Sequence, residues 1–337
     1  MQTDQITLPE APGLPGLSFR HFRGASDYPL MVAAIQASAQ ADRNERATTV
    51  EDVANAYAHL TNCDPYQDMI FADADGTVIG YSRGWWQEEV NGGPFLYAFV
   101  GFLVPEWRRR GIGRAMLHWM EDRLRETAAS HSAERDKFFQ GFVSETEEGL
   151  AILLEQESYR PIRYMYDMVR SSLEDLPDFP VPEGLEVRPA LPEHYRAIWD
   201  ADMEAFRDHW GDVARTEGDF QAWLNNTNFF QPHLWQIAWD IATNQVAGQV
   251  QTFINYAENE KFNRKRGYTE GISVRRPWRR RGLARALIVR SLRAQLDAGM
   301  TESALGVDSE NVSGATRVYE DCGFRVVKRS AIYRKPL

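Results

Sequence analysis

PEWRRRGIGRAMLHWM (105–120) and PWRRRGLARALIVRSL (277–292) are two renderings of one phrase, each preceded by an apolar run, LYAFVGFLV and YTEGISV. Both read as strand, turn and helix, with an Arg-x-x-Gly-x-Gly/Ala signature at the junction. The signature residues are Arg108, Gly111 and Gly113, then Arg279, Gly282 and Ala284, 171 positions apart. Such spacing marks an internal duplication. A helix start with unpaired N–H groups, small residues and a fringe of arginines is suited to hold a diphosphate.

The rest of the chain fits two such units. At 337 residues it is long for one core and sufficient for two. The segment SSLEDLPDFPVPEG (171–184), with Pro177, Pro180 and Pro182, reads as a linker between domains at 1–170 and 185–337. Both halves open alike, with LSFRHF (17–22) and LEVRPA (185–190), and close alike, with SYRPIRYMYDMVR (158–170) and GFRVVKRSAIYRK (323–335). Hairpins are expected at Asp75-Gly76 and near Thr243-Asn244. Apolar periodicity predicts helices over 112–128, with Glu121, Arg123 and Glu126 on the polar face, and over 283–298, with Leu283, Leu287 and Leu296 inside and Gly299 as the stop. Each half is therefore expected to be mixed α/β.

Composition narrows the function. Net charge is −10, yet residues 261–293 hold twelve Lys/Arg against one acid, Glu270. A local basic patch on an acidic chain suits a small polyanion better than a long nucleic acid. No run approaches a membrane span, and the N-terminus lacks the pattern of a signal peptide. Cys63 and Cys322 fall in different repeats and the seven histidines form no metal-ligand spacing, so neither a disulfide framework nor a metal is expected. A cytoplasmic setting is the natural expectation.

The signature, followed by VDSENVSGATRVYEDCGF (307–324), resembles the GNAT acyltransferase superfamily. The resemblance covers about 17–170 and 185–337, and only the second half carries the downstream Asn-x-x-x-Ala-x-x-x-Tyr-x-x-x-Gly-Phe string. The duplicated layout resembles tandem, mycothiol-synthase-like members. This implies two GNAT-like domains, each a mixed, mostly antiparallel sheet flanked by helices, and an N-acetyltransferase using acetyl-CoA. The implied coenzyme site is Ile272, Ser273, Val274, Arg279, Arg280, Arg281, Gly282, Leu283, Ala284, Arg285, Asn311 and Tyr319. If the first half binds coenzyme too, the equivalent set is Leu103, Val104, Arg108, Arg109, Arg110, Gly111, Ile112, Gly113 and Arg114.

An amine acceptor is almost wholly protonated at neutral pH, so acetyl transfer needs a proton acceptor and then a donor to the departing thiolate. The resemblance assigns the donor to Tyr319. Glu270 lies on the strand entering the loop, where relatives place a base, but two residues from their commonest position; a surface ion pair is the competing role. Asn311 reads as a coenzyme contact or a helix cap. His209 is a substrate or base candidate, with structural packing beside Trp210 as the alternative. Cys322 reads as a packed thiol. Aligning the repeats sets Phe99 opposite Glu270, Leu154 opposite Tyr319 and Thr146 opposite Asn311. The first domain therefore lacks acid–base groups and is expected to be non-catalytic. A non-catalytic acyl-CoA sensor and a modifier of a ribosomal or nucleic-acid-associated protein are the competing readings. The sequence leaves open the acceptor amine, taken here as a small molecule, and the oligomeric state.

Overall fold

The computed structural model describes residues 4–90, 92–207, 209–311 and 314–337. In chain order the first half runs β1 (Gln5–Ile6), β2 (Leu17–Arg20), α1 (Tyr28–Ala41), α2 (Val50–Ala58), β3 (Met69–Ala74), β4 (Thr77–Glu88), β5 (Phe95–Leu103), α3 (Ile112–Ala128), β6 (Lys137–Ser144), α4 (Glu148–Gln156) and β7 (Arg160–Arg170). The second runs β8 (Leu185–Arg188), α5 (Tyr195–Phe206), α6 (Glu217–Leu224), β9 (Gln236–Asp240), β10 (Val246–Val250), α7 (Tyr256–Lys261), β11 (Arg266–Tyr268), β12 (Ser273–Val274), α8 (Leu283–Asp297), β13 (Glu302–Asp308), α9 (Ala315–Asp321) and β14 (Arg325–Pro336).

Local chemistry accounts for the punctuation. Asp75 and Gly76 have φ of 49° and 80°, the left-handed pair that a two-residue hairpin between β3 and β4 requires. Thr49 and Asp52 form a reciprocal capping box that starts α2. Gly299, at φ 84°, ends α8 as expected.

The chain folds into two compact units, and neither is a contiguous half. The first takes in the chain up to Ile162, then Val213–Ala222 and Ser330–Leu337; the second takes in Arg163–Asp212 and Trp223–Arg329. The expected domains at 1–170 and 185–337 are corrected accordingly. Ser330–Pro336 of β14 pairs antiparallel with β6 in the first unit, and Met165–Arg170 of β7 pairs antiparallel with β13 in the second. The likeness of the two terminal segments is the reason: each carries the pattern the other sheet needs at that edge. The expected linker is also packed rather than free. Leu173 is fully buried among Met168, Leu185 and Leu287, with Leu176, Phe179 and Val181 against the same core.

In the first unit the sheet order is β1-β2-β3-β4-β5-β6-β14, antiparallel except for β5 with β6. In the second, β8-β9-β10-β12 are antiparallel, while β11 runs parallel to β13 and β13 antiparallel to β7. Helix α8 buries Leu283, Leu287, Ile288 and Leu292 against the second unit's core. The mixed, mostly antiparallel architecture expected for each unit is present.

Three charged or apolar assignments change. Leu296 is exposed, and Leu292 takes the inward place. The acidic run Glu145, Glu147 and Glu148 reads in the sequence as a solvated face, yet Glu147 is buried, accepting from the Ser144 amide and from Arg46. Glu121 is buried as well, accepting from the Tyr159 hydroxyl (2.9 Å), Arg125 (2.9 Å) and Lys335 Nζ (2.8 and 2.9 Å).

Lys335 arrives on β14, so this cluster fastens the exchanged strand to α3. Breaking a fully buried ion pair costs roughly 3–5 kcal/mol. Arg125 would stay with Glu121, so Lys335→Met is expected to lower unfolding free energy by about 2 kcal/mol. Urea denaturation measures this, and Glu121→Gln in the same chain should return part of the loss. An unchanged midpoint would mean that β14 is held by its backbone pairing alone.

Candidate active site

The second unit's sheet parts at one place. Tyr268 pairs with Ala304, and the Thr269 amide still donates to the Ala304 carbonyl at 2.9 Å. Two residues further along β13 the backbone partner is gone, and the Gly306 amide donates instead to the Glu270 carboxylate at 2.8 Å. Gly271 follows in the left-handed region (φ 56°), its α-carbon so close to Gln251 that a Cβ would sit 2.9 Å from that side chain. The chain then joins β10 through β12, and Ile272 makes no backbone hydrogen bond among the described residues. A strand edge with free amide and carbonyl groups thus opens between β12 and β13.

At the mouth of this opening α8 begins. Arg280 and Gly282 both lie in the left-handed region, at φ 62° and 86°. That alternation turns successive N–H groups to one side, the arrangement that cradles an anion. No backbone acceptor for the N–H groups of Arg280 to Arg285 is present among the described residues, and the first intrahelical bond at this end runs from Ala286 to the Gly282 carbonyl. A Cβ on Gly282 would meet nothing within 4 Å, so the space before the amides is open.

The arginines of the signature do different work. Arg279 donates to the Val274 carbonyl (2.8 Å) and the Ala205 carbonyl (3.0 Å), bracing the strand end against α5. Arg281 donates to the Glu183 carbonyl and Arg285 to Asp321. Arg280 is exposed and makes no hydrogen bond among the described residues, which leaves its guanidinium for an incoming anion.

Tyr319, on α9, is buried and held well above the usual phenol range by burial and then by the Glu270 charge. Its hydroxyl has no hydrogen-bond partner among the described residues. Glu270, half-buried, is pushed up to about 7 by burial, partly offset by the Gly306 hydrogen bond and reinforced by Asp167 on β7. The structure therefore brings Glu270 and Tyr319 together at the parting of the strands. Gly306 was not singled out from the sequence, although it is the residue aligned with Gly141 of the first repeat.

Asn311 sits in the loop after β13, its amide on the Asp308 carbonyl; the α9 cap is Gly314 (φ 72°), so the capping role falls away. His209 packs at a tilt against Phe206, ring centroids 4.4 Å apart, in the turn after α5. Cys322 is fully buried, and burial pushes its thiol up to about 11, which fits a packed thiol.

The first unit repeats the scaffold with different contents. Arg109 and Gly111 take the same left-handed pair (φ 60° and 86°), and Arg108 braces the Leu103 carbonyl while pairing with Asp42. Gly111 has Pro12 beside it: a Cβ there would lie 3.8 Å from the proline ring. At the parting of the strands, Gly141 faces Leu154 and Phe99, whose nearest atoms would lie 3.2 and 3.3 Å from a Cβ. Phe99 in turn packs edge-on against Tyr159, centroids 5.8 Å apart. Apolar side chains fill the place that Glu270 and Tyr319 occupy in the second unit.

Comparison with known proteins agrees with this fold. The acetyltransferase (GNAT) family model matches residues 34–137 and 195–324. A mycothiol acetyltransferase from Pseudarthrobacter chlorophenolicus is 24% identical over 225 residues, which is 65% of this chain and 64% of that protein; the match thus spans a little under two thirds of the relative. Among solved structures, a GCN5-related N-acetyltransferase from Sphaerobacter thermophilus superposes with a TM-score of 0.73 at 26% identity, covering 98% of this chain and 97% of that one. A tandem GNAT protein from the clavulanic acid biosynthesis pathway has the same fold, with a TM-score of 0.66 at 17% identity, covering 95% and 98%. No helix is long and apolar enough to cross a membrane, and no metal-binding cluster occurs among the described residues.

The raised Glu270 carboxyl has a consequence for stability. Its folded pKa, about 7, lies above the ordinary 4.5 of the unfolded chain. Between those values unfolding releases a proton, so stability falls as pH rises and the loss is complete above pH 7. Glu270→Gln keeps the acceptor for Gly306 and removes the titration. The variant should melt higher than wild type at pH 8 and together with it near pH 4.5, as read by calorimetry. Equal melting temperatures at both pH values would show that the carboxyl titrates normally.

Proposed function

Because the chain belongs to the acetyltransferase (GNAT) family, we propose that its second unit is an N-acetyltransferase, moving an acetyl group from acetyl-CoA to a small primary amine by direct attack in a ternary complex. The observation that carries this reading is the meeting of Glu270 and Tyr319 where the sheet parts, in the unit whose α8 begins with a row of amides lacking backbone acceptors among the described residues.

The residues present fit coenzyme A. The amides of Arg280–Arg285 and the Arg280 guanidinium suit its diphosphate, and the free backbone edge at Ile272 suits the amides of its pantetheine arm. When bound, the coenzyme supplies an activated acyl carbon and a thiolate leaving group. Glu270, titrating near neutrality, takes the proton that an ammonium must lose, directly or through water. Tyr319 keeps its proton at every working pH and can deliver it to a departing thiolate. Burial of both groups sharpens their interaction with developing charge. In the first unit Phe99 and Leu154 stand nearest Gly141 at the equivalent place, so this unit acts as a scaffold.

A thiol-release screen across amine classes tests the activity. In an active pair, Tyr319→Phe should lower kcat about 100-fold with coenzyme affinity unchanged, because only the hydroxyl is lost. Wild-type kcat with chemistry rate-limiting would make Tyr319 structural.

Gly282→Val and Gly111→Val form a matched pair, since both backbones sit at φ 86° and both variants carry the same left-handed strain. Calorimetric titration with coenzyme A should show at least a tenfold loss of affinity for Gly282→Val and little change for Gly111→Val. The opposite pattern would place the coenzyme in the first unit.

A further inference from the structure

Beyond β10 the chain stays paired with the segment that carries Glu270. Phe253 and Tyr268 exchange backbone hydrogen bonds at 3.2 and 2.8 Å, and the Gln251 amide donates to the Glu270 carbonyl at 2.7 Å. That antiparallel register sets Gln251 directly opposite Glu270. Directly opposed residues send their side chains to the same face, with β-carbons about 5 Å apart. The residues between these two pairs show which face it is. Thr252 and Thr269 both turn to Ser291 of α8, their hydroxyls 2.6 and 3.3 Å from its Oγ, and all three residues are fully buried. Gln251 and Glu270, one position away on each segment, therefore leave on the face turned away from α8.

The side-chain amide of Gln251 has a fixed orientation. Trp223 Nε1 donates to its Oε1 at 3.0 Å, and an indole N–H can only donate, so the oxygen faces Trp223 and the NH2 group points elsewhere. Trp223 is in turn wedged against Tyr195, Phe230 and Trp235, with ring centroids 6.3, 4.9 and 5.3 Å away. The aliphatic part of Gln251 lies so close over Gly271 that only glycine fits beneath it. Nε2 of Gln251 donates to nothing among the described residues and is not sealed from solvent. Two oriented N–H bonds thus stand open beside the residue that handles the amine proton.

Building on the acetyltransferase reading, we propose that Gln251 selects the acceptor: its Nε2 group donates to an oxygen on the carbon next to the amine-bearing one, so that the enzyme prefers 2-amino alcohols over plain alkylamines. The nitrogen to be acylated lies at Glu270 and the neighbouring hydroxyl at Gln251. Opposed β-carbons about 5 Å apart let the two side chains reach neighbouring polar atoms of one small molecule. An alkyl group in the same place would leave the N–H bonds unpaired once water is expelled, which is how a polar site rejects an analogue lacking the oxygen. Gln251 is neutral, so it sorts acceptors without entering the proton transfer.

The test measures kcat/KM for 2-aminoethanol and propylamine, which differ by a hydroxyl in place of a methyl, in wild type, Gln251→Met and Gln251→Glu. The ratio of the two values, amino alcohol over alkylamine, should fall about tenfold in Gln251→Met, which keeps the length of the side chain and removes the donors. Gln251→Glu keeps an oxygen for Trp223 but offers no N–H, and its ratio should fall as far. The basicity of each amine is the same in every variant, and the charge added by Gln251→Glu acts on both amines, so neither decides the comparison. An unchanged ratio in Gln251→Met would overturn the proposal. A fall in Gln251→Met alone would assign the preference to the Trp223 contact and overturn it as well. Calorimetric titration of the two amines into enzyme saturated with coenzyme A reads the same ratio without turnover. If no amine releases thiol, the acetyltransferase reading fails and the titration decides the role of Gln251: an affinity ratio that Gln251→Met lowers upholds it, and one that stays put overturns it.

Discussion

A strand amide calls for an acceptor, and where two strands diverge the sheet no longer supplies one. The second unit meets that requirement at Gly306 with the carboxylate of Glu270. The consequences reach well beyond one hydrogen bond. The carboxylate is drawn into a poorly hydrated place, its proton affinity rises, and the backbone beyond it is freed from β13 to face the gap. Acid–base capacity and an open strand edge thus follow from a single structural need. The first unit meets the corresponding geometry by filling it: Phe99 and Leu154 close on Gly141, and packing replaces chemistry. An apolar filling is the cheaper solution for stability, since a half-hydrated carboxyl raised to about 7 destabilises the fold at neutral pH.

The exchange of terminal strands gives these two solutions a common frame. Because β7 closes the second unit and the end of β14 closes the first, neither half of the sequence contains a finished sheet. Duplication makes this possible, since the two terminal segments are alike enough for each to satisfy the other's edge. Side-chain bonds then fix the arrangement. Arg163 on β7 holds Asp308 through two nitrogens at 2.8 and 2.7 Å, and Lys335 on β14 reaches the buried Glu121. Bidentate arginine–carboxylate pairing is directional as well as strong, which sets register along with affinity.

Much of this was legible from the residues. Hairpin turns, the two long helices and the signature loops depend on short-range patterns, and they lie where those patterns put them. Glu270 was reached through its place on the strand entering the loop and Tyr319 through the family resemblance of the downstream string, and the structure sets the two close enough to interact. What escaped was nonlocal. Periodicity cannot tell Glu121 from an ordinary polar-face glutamate, because its burial depends on a lysine 214 residues away. The proline-rich segment read as a linker, since Leu173 finds its core only after β7 has docked. The domain boundary failed for the same reason: pairing of strands distant in sequence leaves no trace in composition. Asp167 is part of that blind spot.

The duplicated signature itself has a simpler basis than its arginines suggest. In both units the leading arginine turns inward, Arg108 to the Leu103 carbonyl and Arg279 to the Val274 carbonyl, each the last position of its strand region. These bonds satisfy a carbonyl that the sheet leaves unpaired and set the direction in which the chain enters the helix. The left-handed pair that follows, Arg109 with Gly111 and Arg280 with Gly282, then aims backbone amides outward in both units. The brace and the turn serve the fold whether or not a ligand binds. Retention of the motif in the first half therefore carries no weight for coenzyme binding there. The distinction between the two units lies in what fills the parted strands, apolar side chains in one and titratable groups in the other.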